Sequence, residues 1–158
     1  MEKSKVANFG LYLLAGSGQA DPQDLARLAV RFKIRYFQLR LKEATDQTIL
    51  SQAARIRKIT NNTETRFIIN DRVDLALIAG ADGVHLGQGD LSLKDADEMI
   101  RRYGKLPGVN FFRGLSTHSI AQLKKIHDDP AGLPDYAGFG PIWPTPAKKI
   151  ADPPAYPG

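Results

Sequence analysis

Short apolar runs alternate with stretches of helical spacing along almost the whole chain. Residues 9–15, FGLYLLA, predict a buried strand, broken by Gly16, Ser17 and Gly18. Asp21-Pro22-Gln23-Asp24 then supplies a capping carboxylate, a first-turn proline and an acid at the positive end of a helix dipole. Leu25, Leu28, Ala29 and Phe32 continue that helix's apolar stripe. The unit repeats. IRYFQLR, residues 34–40, predicts a second strand, and Thr45 opens a helix that buries Ile49, Ala53, Ile56 and Ile59. RFIIN is a third strand, followed by a helix over 72–79; DGVHL, residues 82–86, is a fourth. Ser92 to Asp95 cap a helix that buries Leu93, Ala96, Met99 and Ile100. A fifth strand is expected within 108–114, with a helix burying Ile120, Leu123 and Ile126, and a sixth at 135–140, DYAGFG.

Strands that alternate with helices pair in parallel through crossovers, so the fold class is α/β. Two architectures remain, an open doubly wound sheet or a (β/α)8 barrel. A barrel has eight strands and typically over about 200 residues, whereas this sequence offers six. The closing ADPPAYPG, with three prolines, suits neither a helix nor a central strand. The expected organisation is one domain over 1–150 and a proline-rich tail over 151–158.

Composition narrows the class. A chain of 158 residues that is 42% hydrophobic can bury a core. Its formal charge of +5 favours anionic partners, but the basic residues are interleaved with acidic ones, which argues against a nucleic-acid surface. With no cysteine there is no disulfide framework or thiolate chemistry. The N-terminus lacks the apolar core of a signal peptide, and no apolar run reaches about 18 residues, so a cytoplasmic protein without a membrane span is expected.

In α/β architectures ligands gather at the C-terminal ends of the strands, and there the unusual polar residues fall. Alternation along QLRLK points Gln38, Arg40 and Lys42 to one side; the third strand ends in Asn70-Asp71; the fourth runs into Gly87-Gln88-Gly89-Asp90. The fifth ends in Ser116-Thr117-His118, and the sixth runs through Trp143 and Thr145 to Lys148. Singly, each has a structural explanation: Gln38, Arg40 and Lys42 a solvated strand face, Asp71 or Ser116 a helix cap, Asp90 a loop residue, His85 a hydrogen-bonded core residue. Together they converge on one rim. Mg²⁺ is commonly held by one or two carboxylates plus substrate phosphates, and Asp71 and Asp90 lie among Arg40, Lys42 and Lys148, cations suited to a diphosphate. No GxxxxGK[ST] is present, so a P-loop is excluded. The composite reading is Mg²⁺-assisted chemistry on a diphosphate ester.

At these residues the sequence resembles the thiamine-phosphate synthase family and its relative the thiazole tautomerase. QLRLK, IINDRVDLAL, ADGVHLGQGDL, GLSTHS and GFGPIWPTPAKK match the family's blocks in order. The resemblance implies a (β/α)8 barrel enzyme of which about six of eight strand–helix units are present. It implies a reaction in which 4-amino-2-methyl-5-(diphosphooxymethyl)pyrimidine loses pyrophosphate and the resulting pyrimidinyl cation is captured by a thiazole phosphate. Carried over by position, Gln38, Arg40, Lys42 and Asn70 would contact the pyrimidine diphosphate, Asp71 and Asp90 would hold Mg²⁺, Ser116 and Lys148 would bind the diphosphate, and Thr145 the thiazole phosphate. His118 would matter as an acid–base group only in a tautomerase, which lacks the glutamine at 38 and the acid at 90. Ala147 replaces a threonine usual in the family, which would cost a hydrogen bond, about 1 kcal/mol. A third possibility is a truncated, non-catalytic barrel that binds substrate weakly. Its open edges would favour a homo-oligomer.

Overall fold

The computed structural model describes residues 9–18, 20–103, 111–129 and 132–142. Thr145, Ala147, Lys148 and the tail 151–158 therefore lie outside the described residues, as do residues 108–110 of the expected fifth strand. Eleven elements alternate in order: β1 (Tyr12–Gly16), α1 (Pro22–Arg31), β2 (Tyr36–Arg40), α2 (Asp46–Thr60), β3 (Arg66–Asn70), α3 (Val73–Ile78), β4 (Gly83–Leu86), α4 (Leu93–Tyr103), β5 (Phe112–Thr117), α5 (Ile120–Asp128) and β6 (Tyr136–Phe139). The six strands form one sheet in the order of the sequence, every neighbouring pair parallel.

The sheet is strongly curled. Strands β1 and β6 are its two edges, and in a flat sheet five spacings would hold them about 24 Å apart. Instead the hydroxyls of Tyr12 on β1 and Tyr136 on β6 are 2.9 Å from each other. Curling gives the strands a convex face toward the helices and a concave face toward one another. Alternate residues serve the two faces. Phe37, Leu39, Phe67, Ile69, Val84 and Leu86 face outward and pack with Ala26, Ala29, Ala53, Ile56, Ala76 and Ala96 of the helices in one buried core. Small helical residues at the contact let helix and sheet approach closely.

The helix starts follow the sequence. Asp21 accepts from the Gln23 N–H (2.7 Å), with Pro22 at the first helical position, and Thr45 accepts from the Thr48 N–H (3.2 Å). Ser92 accepts from the Asp95 N–H (3.1 Å) and donates to the Asp95 carboxylate (2.5 Å). Four expectations need correction. The fifth strand lies later than expected, because Ser116 and Thr117 belong to it: Thr117 is buried and donates to the Gly138 carbonyl at 3.0 Å. Ser116 is thus no helix cap; Ser119 caps α5, accepting from the Gln122 N–H. Helix α5 has no fully buried residue and Ile120 is 56% exposed, since this end of the sheet offers few elements to pack against. Strand β2 stops at Arg40, which leaves Lys42 on the following loop.

Candidate functional site

The concave face and the C-terminal rim of the sheet collect most of the singled-out residues. Gln38 points inward from β2 and is only 2% exposed. Its register partner on β3 is Ile68, so Asn70, two residues on, projects from the same face. The two amides meet: Gln38 Nε2 donates to Asn70 Oδ1 at 2.6 Å, and Gln38 Oε1 accepts from the Tyr12 hydroxyl at 3.0 Å. A buried amide with both ends partnered is held in one orientation.

Asp71 follows directly and turns the chain sharply, with φ at +62°. Few side chains tolerate that left-handed conformation; aspartate is among them. Its N–H donates to the His85 carbonyl at 2.8 Å, fixing the end of β3 against β4. Its carboxyl is partly buried, 3.7 Å from Lys42 Nζ and within hydrogen-bonding reach of Asp90. Burial first, and Asp90's hydrogen bond and charge next, push the Asp71 carboxyl above the usual carboxylate range; Lys42 and Arg40 pull the other way. Asp90 reaches this place through the turn after β4, where its Oδ2 accepts from the Gly87 N–H at 2.6 Å. A side chain at Gly87 would crowd that oxygen at 2.9 Å, which explains the glycine. The expected carboxylate pair is therefore assembled from two loops, with Lys42 beside it.

Asp71 does not cap α3. Arg72 occupies the cap position without a side-chain cap bond, and instead forks to Asp74 and Asp46. Asp74 lies in the first turn, as expected.

A second constellation crosses the concave face. Tyr12 and Tyr136 share their 2.9 Å contact; His85 Nδ1 lies 3.1 Å from the Tyr136 hydroxyl; His85 Nε2 lies 2.9 Å from Ser116 Oγ. Asn70, Gln38, Tyr12, Tyr136, His85 and Ser116 thereby form one continuous hydrogen-bonded chain across the curl. His85 is hydrogen-bonded, as expected. Tyr12 and Tyr136 escape sequence reasoning, because a tyrosine beginning a strand looks like any core aromatic. The available signal is their inward parity on β1 and β6. His118, just past β5, donates from Nδ1 to the Gly140 carbonyl, and its N–H donates to the Gln122 side chain at 2.6 Å. Thr145 and Lys148 lie outside the described residues.

Two crowded carboxylates are hard oxygen donors whose like charge Lys42 and Arg40 offset only in part, a set that fits a divalent cation such as Mg²⁺. Among the described residues no group of three or more His, Cys, Asp or Glu side chains is clustered, so such an ion would draw further ligands from substrate or water.

A family model described as thiamine monophosphate synthase matches residues 11–157. A thiamine-phosphate synthase of Gloeobacter violaceus is 38% identical over 147 residues, covering 93% of this chain and 40% of that protein. A putative thiamine-phosphate synthase of Geobacter sulfurreducens is 38% identical over 145 residues, 89% of this chain and 63% of that one. Among solved structures, the thiamine phosphate pyrophosphorylase from Pyrococcus furiosus superposes with a TM-score of 0.68 at 26% identity, over 87% of this chain and 62% of that one. The chain thus spans 40% and 63% of the two curated relatives' lengths. With the family model matched along nearly its whole length, the chain belongs to the thiamine monophosphate synthase family.

Proposed function

We propose that this chain forms thiamine phosphate, joining 4-amino-2-methyl-5-(diphosphooxymethyl)pyrimidine to a thiazole phosphate with release of pyrophosphate. The observation that carries the reading is the Asp71–Asp90 pair beside Lys42, one residue from the Gln38–Asn70 amide pair. A pyrimidine ring presents donors and acceptors that oriented amides can match, and a diphosphate needs cations beside it. In this reading the six strand–helix units belong to a (β/α)8 barrel, and their concave face is its interior.

Asp71 and Asp90 would hold Mg²⁺, which when bound would neutralise the departing diphosphate. Arg40 and Lys42 add positive charge at the same rim, and Ser116, with Lys148, belongs to the diphosphate end. Gln38 and Asn70 fix the pyrimidine, so that the carbon losing pyrophosphate faces the thiazole nitrogen. Such a dissociative substitution asks little of proton transfer. It asks for alignment and for charge stabilisation. Thr145 is assigned to the thiazole phosphate. A cytoplasmic location is part of this proposal. Among the described residues no helix is long and apolar enough to cross a membrane.

The test incubates the purified chain with both substrates and Mg²⁺ and follows pyrophosphate and thiamine phosphate. Product that disappears with Asp90→Ala is the expected result. Pyrimidine diphosphate binding without product would mark a non-catalytic barrel, with a second copy or further chain needed to close it. Tautomerisation of a thiazole that needs His118 and ignores Mg²⁺ would overturn the assignment in favour of a thiazole tautomerase.

A further inference from the structure

The hydrogen-bonded chain across the concave face takes its direction from the amide orientation of Gln38, and counting protons carries that direction along it. Gln38 Nε2 is spent on Asn70, so its Oε1 faces Tyr12 and can only accept. The single Tyr12 proton therefore goes to Gln38. Across the 2.9 Å contact Tyr12 must then accept, and Tyr136 spends its own proton there. The 3.1 Å contact leaves His85 Nδ1 as the donor. A neutral imidazole carries one proton, so Nε2 is an acceptor, and the 2.9 Å contact takes the proton of Ser116.

We propose that Tyr12 and Tyr136 are positioning residues that relay the amide orientation of Gln38 to His85, fixing its Nδ1–H tautomer and committing the Ser116 proton to Nε2. Three further observations agree. Burial raises both tyrosines, Tyr136 to about 12 and Tyr12 further, so both keep their protons near neutrality. Gly114 makes room for the relay: a Cβ there would collide with the Tyr136 ring and with His85 Nδ1. The rings of His85 and Tyr136 also stack, with centroids 5.5 Å apart.

The relay has a consequence for an anion. To donate to a phosphoryl oxygen, Ser116 must give up its hydrogen bond to Nε2. Cutting the relay lets His85 adopt the Nε2–H form, donate to Ser116 Oγ, and free the serine proton for the anion. This last step rests on the function proposed above; the relay itself does not.

The experiment records ¹⁵N imidazole resonances of the full chain at about pH 8.5, where an ordinary histidine is neutral, with His85→Gln assigning the signal. The Nδ1–H pattern is expected for His85, and Tyr136→Phe and Tyr12→Phe should each shift it toward Nε2–H while both rings stay in place. An Nε2–H pattern in the unaltered chain, or a pattern indifferent to both substitutions, overturns the relay. Calorimetry with pyrophosphate and Mg²⁺ reads the last step: Tyr136→Phe should bind about 3- to 10-fold tighter, the value of one hydrogen bond. Equal or weaker binding with a shifted tautomer overturns the role of Ser116. An unaltered chain that binds no pyrophosphate overturns that role and the proposed function together, while the tautomer still decides the relay.

Discussion

Asp71 carries two features that a residue chosen for stability would avoid. Its φ of +62° is in the left-handed region, and its carboxyl is crowded by Asp90. Strain of this kind persists where surrounding structure over-determines it, and it clusters at ligand sites. Relieving the crowding should therefore stabilise the fold and damage the site. Asp90→Asn removes one charge and keeps an oxygen for the Gly87 N–H. In metal-free buffer its melting temperature should equal or exceed that of the unaltered chain, while Mg²⁺ binding weakens about tenfold or more. A variant that melts lower yet binds Mg²⁺ unchanged would show the pair to be structural. At this scale the sequence was informative where polarity interrupts an apolar run, as at Gln38, Asn70 and Asp71. It was silent at Tyr12 and Tyr136, whose meeting depends on the curl of the whole sheet, which no local period encodes.

Among elements, helix starts were legible and packing partners were not. Asp21, Thr45 and Ser92 cap as their types and positions require. Arg72 had no assignable role until the fold brought Asp46, at the start of α2, beside Asp74 at the start of α3. Hydrogen bonds from its guanidinium hold both carboxyls below the usual range. A carboxyl whose folded pKa is depressed stabilises fully above its unfolded pKa, about 3.9, and that stabilisation is lost as pH falls through the folded value. These groups are substantially exposed, so Arg72→Gln should destabilise the fold only slightly at pH 7. Denaturant titrations of both chains should converge as pH falls below the usual carboxylate range; a gap that persists in acid would mean that Arg72 acts by packing. The periodicity of α5 predicts a buried stripe, yet burial needs a neighbour. Ile56 is 0% exposed and Ile120 is 56%. Ile56→Ala should cost about 2–5 kcal/mol in urea, and Ile120→Ala under about 1. Equal losses would show that Ile120 is covered in solution.

Across the molecule, burial peaks in the middle strands and falls toward both edges of the sheet. Strand β2 is buried at four of its five positions, β3 at three of five and β4 at three of four, whereas β1 is buried only at Ala15, β5 at two positions, and in β6 Ala137, Gly138 and Phe139 are exposed. The helical side of the core ends in the same sense, with Ala96 of α4 its last fully buried member. Among the described residues every strand pairs with its sequence neighbour, and no long-range strand pairing ties the late elements back to the early ones. What does so among the described residues is side chains: the Tyr12–Tyr136 hydroxyl contact and the stack of Phe9, Tyr12, Tyr36 and Tyr136. Local opening follows buried contact, so amide exchange should be graded. Amides of β2 and β3 should exchange only through global unfolding. Those of β5 and β6 should open several kcal/mol more easily, on the order of the spread between fraying and core segments. Among the described residues β6 meets β1 through the Tyr12–Tyr136 hydroxyl contact and the aromatic stack, so Tyr136→Phe, which removes the hydroxyl contact, should lower protection in β6 and leave β2 and β3 unchanged. Uniform protection across all six strands would mean that the edges of the curl are closed in solution. Concentration dependence of that protection would then assign the closure to a second copy.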